Sequence, residues 1–380
     1  MPSSSVRLTK VCPFRALSAA PITIDYSIIH ARGDSPAAFL VFLDQLGLLM
    51  FRASFVCLIA TLCSFAVEVR GDELFVAVGY GGRRMVSTDG LKWEITAEWA
   101  QPGGDDGNNL ISGVFAEGKF VVVGGGGGGN SGNGHVLVST DGRAWKEVYE
   151  AKNRISPIVY GKVGGKGRFV AGGTNRKLLW SVDGEAWHEG ARIEDPVCTH
   201  FRAAAFGNER FVFVGNHGGN AGPHWVAVSP DGESVSHVKT DMPGHGALVF
   251  GGGKFFMLTS HTNADLIASA DGVKWDPVTV AADEKSTDKV AAKVRWIVWT
   301  GSELLAEANR AIYRSTDGGA WTKTDLTAPR GTVMWSDGKR FITTSWPGKM
   351  AFSADGKTWT DAAPLSANGI NRVIRGAKGK

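Results

Sequence analysis

The sequence predicts an all-β chain: a seven-bladed β-propeller of four-stranded antiparallel blades, with the ring closed by the C-terminal strand. Three observations lead there. A heptapeptide recurs six times intact, as STDGLKW at 87–93, STDGRAW at 139–145, SVDGEAW at 181–187, SADGVKW at 269–275, STDGGAW at 315–321 and SADGKTW at 353–359. A seventh copy, SPDGESV at 229–235, has Val235 in place of the tryptophan. Short apolar strings precede every copy, among them ELFVAVG from Glu73, KFVVVGG from Lys119 and RFVFVG from Arg210. The spacings from Ser87 through Ser139, Ser181, Ser229, Ser269 and Ser315 to Ser353 are 52, 42, 48, 40, 46 and 38 residues. One four-stranded sheet of that length cannot bury both its faces, so the units must stack around an axis.

The heptapeptide reads as a turn between two strands. Asp89-Gly90, Asp141-Gly142, Asp183-Gly184, Asp271-Gly272, Asp317-Gly318 and Asp355-Gly356 are suited to its centre. Glycine accepts positive φ there, and aspartate bonds to nearby backbone amides. The serines cap the turn. Trp93, Trp145, Trp187, Trp275, Trp321 and Trp359 are expected to bury their rings between sheets and keep a donor for a carbonyl.

Taken from its start, the chain changes character near residue 67. Residues 1–49 carry no repeat features and read as an unstructured leader or a mis-assigned start. Met50 opens a short basic start, an apolar run and Ser64-Phe65-Ala66, the layout of a signal peptide over 50–66 cleaved after Ala66. Export to a periplasmic or extracellular location is expected, with membrane contact only if that segment stays attached. The propeller then spans 67–380. The formal charge of +4 falls to +2 without residues 1–66, which contain five basic and three acidic residues, too balanced for a nucleic-acid partner. Cys12, Cys57 and Cys63 lie in the leader, so Cys198 stands alone afterwards and reads as a buried thiol. The tail repeats a first-strand pattern with no second strand behind it. Asn371–Arg375 is therefore expected to supply the inner strand of the first blade.

The heptapeptides resemble the Asp-box, or bacterial neuraminidase repeat, of sialidase-type propellers, in the shortened form found in exported bacterial proteins. The resemblance covers 67–380 and departs from the longer family form by one residue in each copy. It implies that the boxes are structural turns on the face away from any site. It also implies either a carbohydrate ligand or, since similar propellers serve as assembly factors, a protein partner. The arginine motif of the sialidases is missing, the nearest string being Phe201-Arg202-Ala203-Ala204, and Tyr80, Tyr149, Tyr160 and Tyr313 offer no matching nucleophile pair. The reading is thus a monomeric, non-catalytic binding propeller without cofactor or metal. A carbohydrate-active hydrolase or lyase is the alternative.

A ligand is expected on the opposite edge, which we call the loop face. It is built from loops between second and third strands and loops between blades. Candidates there are Tyr80, Arg84, Arg176, His217, His224, His245, His261, Arg310, Arg330 and Trp346. Arginines and aromatics suit an acidic glycan, by paired hydrogen bonds and stacking. The histidines fall on the fourth and fifth blades with His200, and Asp195 and Asp241 are near in sequence, but their spacing matches no metal-ligand motif. The glycine run at 124–134 lacks the Gly-Lys-Ser/Thr ending of a phosphate loop and reads as a flexible connection.

Overall fold

Each Ser-x-Asp-Gly copy joins the third strand of a blade to its fourth. The computed structural model describes residues 73–99, 109–126, 133–173, 176–218, 222–261, 263–285, 290–329, 331–363 and 369–377. The leader, the signal segment at 50–66, Asp105, Asp106, Asn175, Arg330 and the middle of the glycine run lie outside these residues. Seven four-stranded antiparallel sheets follow one another. Blade 1 contains β1 (Glu73–Gly79), β2 (Arg84–Ser87) and β3 (Glu94–Ala97). Blade 2 is β4 (Asn109–Ala116), β5 (Lys119–Gly125), β6 (Gly134–Ser139) and β7 (Lys146–Ala151), so the glycine run begins and ends inside strands. Blade 3 is β8 (Ile155–Val163), β9 (Lys166–Gly173), β10 (Lys177–Ser181) and β11 (His188–Arg192). Blade 4 is β12 (His200–Gly207), β13 (Arg210–Asn216), β14 (His224–Ser229) and β15 (His237–Met242). Blade 5 is β16 (Leu248–Gly251), β17 (Lys254–Leu258), β18 (Leu266–Ser269) and β19 (Asp276–Val278). Blade 6 is β20 (Val294–Trp299), β21 (Leu304–Ala308), β22 (Ala311–Ser315) and β23 (Thr322–Lys323). Blade 7 is β24 (Thr332–Ser336), β25 (Phe341–Ser345), β26 (Lys349–Ser353) and β27 (Thr360–Asp361), and β28 (Ile370–Ala377) ends the described chain.

The turn chemistry repeats closely. In all seven copies the serine hydroxyl accepts the glycine N–H at 2.7–2.9 Å. The aspartate Oδ1 accepts the amide two residues on at 2.8 Å. Such bonds favour the ionised carboxylate. The amides of Thr358 and Lys357 accordingly hold Asp355 down at about 2. Each turn glycine has φ between 69° and 80°. A Cβ would be strained there and would also collide with the preceding blade: at Gly272 it would stand 2.6 Å from Val212, and at Gly142 2.8 Å from Val76.

Seven apolar clusters, one at each blade junction, form the core. The box tryptophans pack into these junctions. Trp93 is buried, whereas Trp145, Trp187, Trp275, Trp321 and Trp359 are half-buried. Five indoles donate to the turn glycine carbonyl at 2.9–3.2 Å, and Trp359 donates instead to Thr327 Oγ1 at 2.9 Å. Val235 fills the same place between blades 3 and 4 with less bulk. A second contact ties neighbours together. Lys119, Arg168 and Arg210, at or near the starts of their second strands, donate to the carbonyls of Asp183, Asp231 and Asp271 in the next blade's box at 3.1, 2.5 and 3.3 Å.

Closure follows the sequence expectation. β28 pairs antiparallel with β1 from Glu73 opposite Ala377 to Gly79 opposite Ile370, giving the order β28-β1-β2-β3. The seam is clamped at buried Glu73. Its carboxylate accepts two bonds from Arg340 of blade 7, at 3.0 and 3.1 Å, and one from Arg375 of β28. Burial pushes the Glu73 carboxyl up, but the two guanidiniums outweigh that and hold it below the usual range. Trp335 lies beneath both guanidiniums, 5.2 and 5.7 Å from its ring centre. Removing the shared carboxylate leaves two cations facing each other. Glu73→Ala should therefore cost about 3 kcal/mol in urea unfolding, and deletion of 366–380 should abolish the cooperative transition. A truncated protein melting like the full chain would contradict the seam.

Candidate functional site

The edge opposite the boxes carries every loop between second and third strands and every loop between blades. Its most concentrated chemistry lies on blades 3 to 5. Register slips by one residue in β12 between Phe201 and Ala203, leaving Arg202 as the bulged residue. Its Nε donates to Asn216 Oδ1 at 2.7 Å, and Asn216, buried at the end of β13, also donates to the Gly218 carbonyl at 3.4 Å. Thr199 Oγ1 stands 2.8 Å from His200 Nδ1 and accepts the Gly218 N–H at 3.0 Å, fastening the turn after β13 to the start of β12.

Three of the histidines come together. His245, between blades 4 and 5, is 5 % exposed, and its Nδ1 lies 2.8 Å from Nδ1 of His224. Its ring centre is 4.7 Å from that of His224 and 5.4 Å from that of His261, which approaches edge-on. His245 Nε2 is buried without a hydrogen-bond partner. Burial, then His224, His261 and Arg202, pull the His245 pKa down to about 4. His261 and Arg202 are lowered by burial first and neighbouring cations second, as is His200, on which Arg202, Arg154 and His217 act. His217 itself is exposed.

The nearby carboxylates are engaged elsewhere. Asp195 accepts the Val197 N–H at 2.9 Å, and Asp241 stands 3.7 Å from Lys239 Nζ. Among the described residues no group of three or more His, Cys, Asp or Glu is arranged to hold a metal ion. Cys198 is fully buried, and burial drives its thiol up to about 12, so it lies outside any reactive role.

The other candidates are dispersed. Arg84 is buried, with its Nε on the Gly82 carbonyl at 2.9 Å and its guanidinium 5.3 Å from the Trp99 ring centre, so it supports the first loop from beneath. Arg176 donates to the Glu194 carbonyl at 3.0 Å, and Arg310 is exposed on a turn at φ 60°. Trp346 is 70 % exposed, and its ring meets Tyr80 edge-on at 5.4 Å across the seam of blades 7 and 1. Sequence reasoning missed Arg202, Arg154 and Asn216 as site residues. The available signal was one arginine inside the apolar first strand of blade 4.

No protein-family model matches the chain, and no curated protein matches it. Among solved structures it is similar to YCF48 bound to D1 peptide, at 15% identity over 67% of this chain and 82% of that one, with a TM-score of 0.44. YCF48 from Cyanidioschyzon merolae matches at 14% identity over 70% and 94%, with a TM-score of 0.45. Apo AztD from Citrobacter koseri matches at 10% identity over 81% and 99%, with a TM-score of 0.45. At these values no activity is transferred to this chain.

His245 gives the site a pH signature. Its folded pKa, about 4, lies below the 6.5 of an unperturbed imidazole, so the unfolded chain binds the extra proton between those values. The folded state is therefore favoured above pH 6.5 and loses up to about 3 kcal/mol as pH falls towards 4. In urea unfolding at pH 7 and pH 5, His245→Gln should lose less stability than the unaltered protein. An equal loss in both proteins would contradict this environment.

Proposed function

We propose that the chain is an exported, monomeric binding propeller that captures an acidic glycan on its loop face. The observation behind this reading is the group formed by Arg202 and the imidazoles of His200, His224, His245 and His261, in which one permanent cation and several nitrogen donors have no carboxylate paired with them among the described residues. Guanidinium and imidazole donors recognise carboxylate and sulfate groups. Trp346 adds an exposed aromatic face of the kind on which sugar rings stack. A glycan suits this edge better than a protein partner. Protein interfaces want an apolar centre, and the large exposed apolar side chains among the described residues, Ile95, Val182, Val290 and Trp346, are scattered. The alternative, lyase chemistry on the same glycan, would set Arg202 against the substrate carboxylate and use an imidazole of this group as the base.

Purified protein on an acidic-glycan array should show selective binding, weakened about tenfold by Trp346→Ala and more by Arg202→Gln. Release of unsaturated ends from a bound glycan would select the lyase reading, whereas a blank array with a protein captured by crosslinking would overturn both. N-terminal sequencing of the exported protein should begin at Val67. Recovery only with 50–66 attached would contradict cleavage.

A further inference from the structure

We propose that Arg202, His245 and His224 form a proton-coupled oxyanion site, which takes one sulfate or carboxylate group together with one proton. The proposal rests on the reading of the loop face as an acidic-glycan surface and adds the way the site is gated. Two imidazole nitrogens 2.8 Å apart, Nδ1 of His245 and Nδ1 of His224, share one proton, because one must donate and the other accept. His245 Nε2 then has nothing to meet: it is buried, and no described group bonds to it in either neutral tautomer. A proton taken from solvent completes the arrangement. The imidazolium donates through Nδ1 to His224 and offers Nε2–H to an oxyanion, which the buried site otherwise lacks. The neutral tautomer in which His224 donates also presents an Nε2–H, so what the added proton supplies is positive charge, which makes that N–H a stronger donor to an anion.

Arg202 supplies the permanent charge. Arg295 is the bulged residue at the same place in the first strand of blade 6, between Val294 and Trp296, and it makes two bonds, at 3.1 and 2.9 Å, to buried Glu307. Its charge is neutralised inside the fold. Arg202, at the bulge of blade 4, rests on the neutral amide of Asn216, and no carboxylate pairs with it among the described residues. The charged and titratable groups acting on His245 are His224 at the start of β14, His261 in the loop after β17, and Arg202 in β12. All carry or can carry positive charge. An anion in their midst would cancel this repulsion and raise the proton affinity of His245, so anion and proton bind cooperatively.

Inorganic sulfate is the probe, because it stays fully ionised across the working range and any proton taken up must go to the protein. Calorimetric titration of the full chain with sodium sulfate at pH 7.5 and pH 5.5, in buffers of different ionisation enthalpy, reads affinity and proton uptake together. The expected result is affinity that rises as pH falls, approaching tenfold per pH unit, with uptake near one proton. His245→Gln should flatten that slope while leaving weak binding, and Arg202→Gln should weaken binding at both pH values. A parallel titration with sodium glucuronate distinguishes a carboxylate source from a sulfate ester. Failure of both anions to bind, equal affinity at the two pH values, or a slope retained in His245→Gln would overturn the proposal. Acidic-glycan binding that ignores pH would overturn this coupling and leave the glycan reading standing. Proton-coupled sulfate binding with a blank glycan array would do the reverse.

Discussion

Seven glycines without a Cβ, each held at positive φ against the blade before it, allow the sheets to close into a ring. The contact at Gly272 leaves no room for a methyl beside Val212, and the one at Gly318 leaves none beside Phe256. Serine and aspartate fix the same turn by satisfying its amides, so the box is a spacer as well as a corner. Lys119, Arg168 and Arg210 then hold three of the seven boxes from the neighbouring blade. The box edge of the ring is thus committed to structure, residue by residue. The opposite edge carries the loops between second and third strands and between blades, and the proposed ligand falls there.

Charge divides in the same way. On the seam, Glu73 is shared by Arg340 and Arg375, and in blade 6 Glu307 neutralises Arg295. Other buried or half-buried arginines lean on a carboxylate or carbonyl, as Arg84 does on the Gly82 carbonyl and Arg168 on that of Asp231. The inner end of blades 3 to 5 departs from this habit. There, burial first and neighbouring guanidiniums and imidazoles second lower the proton affinity of Arg202 and His245.

Much of the fold was legible in the sequence because it is repeated. A turn that needs Asp-Gly and a box that needs Trp announce themselves seven and six times, and the unpaired first-strand pattern at the tail foretold β28. Trp359 found a different acceptor because Thr327 lies within its reach, a local choice that no repeat records. The site was legible only in part. His224, His245 and His261 stood out as loop histidines, but their convergence depends on how two neighbouring blades face each other. Arg202 showed only as a lone arginine inside an apolar strand, since the bulge that sets it apart is a matter of pairing register. Arg84 showed the opposite failure: it is polar and next to a loop, yet it is folded beneath Trp99.

The most direct measurement is hydrogen–deuterium exchange of the full chain with and without a sulfated glycosaminoglycan oligosaccharide. Exchange should slow at 199–202, 216–218, 224–225, 244–247 and 259–261, with no change in the seven box turns. Protection centred on the box turns, or none anywhere under saturating oligosaccharide, would contradict the division of the ring into a structural edge and a binding edge.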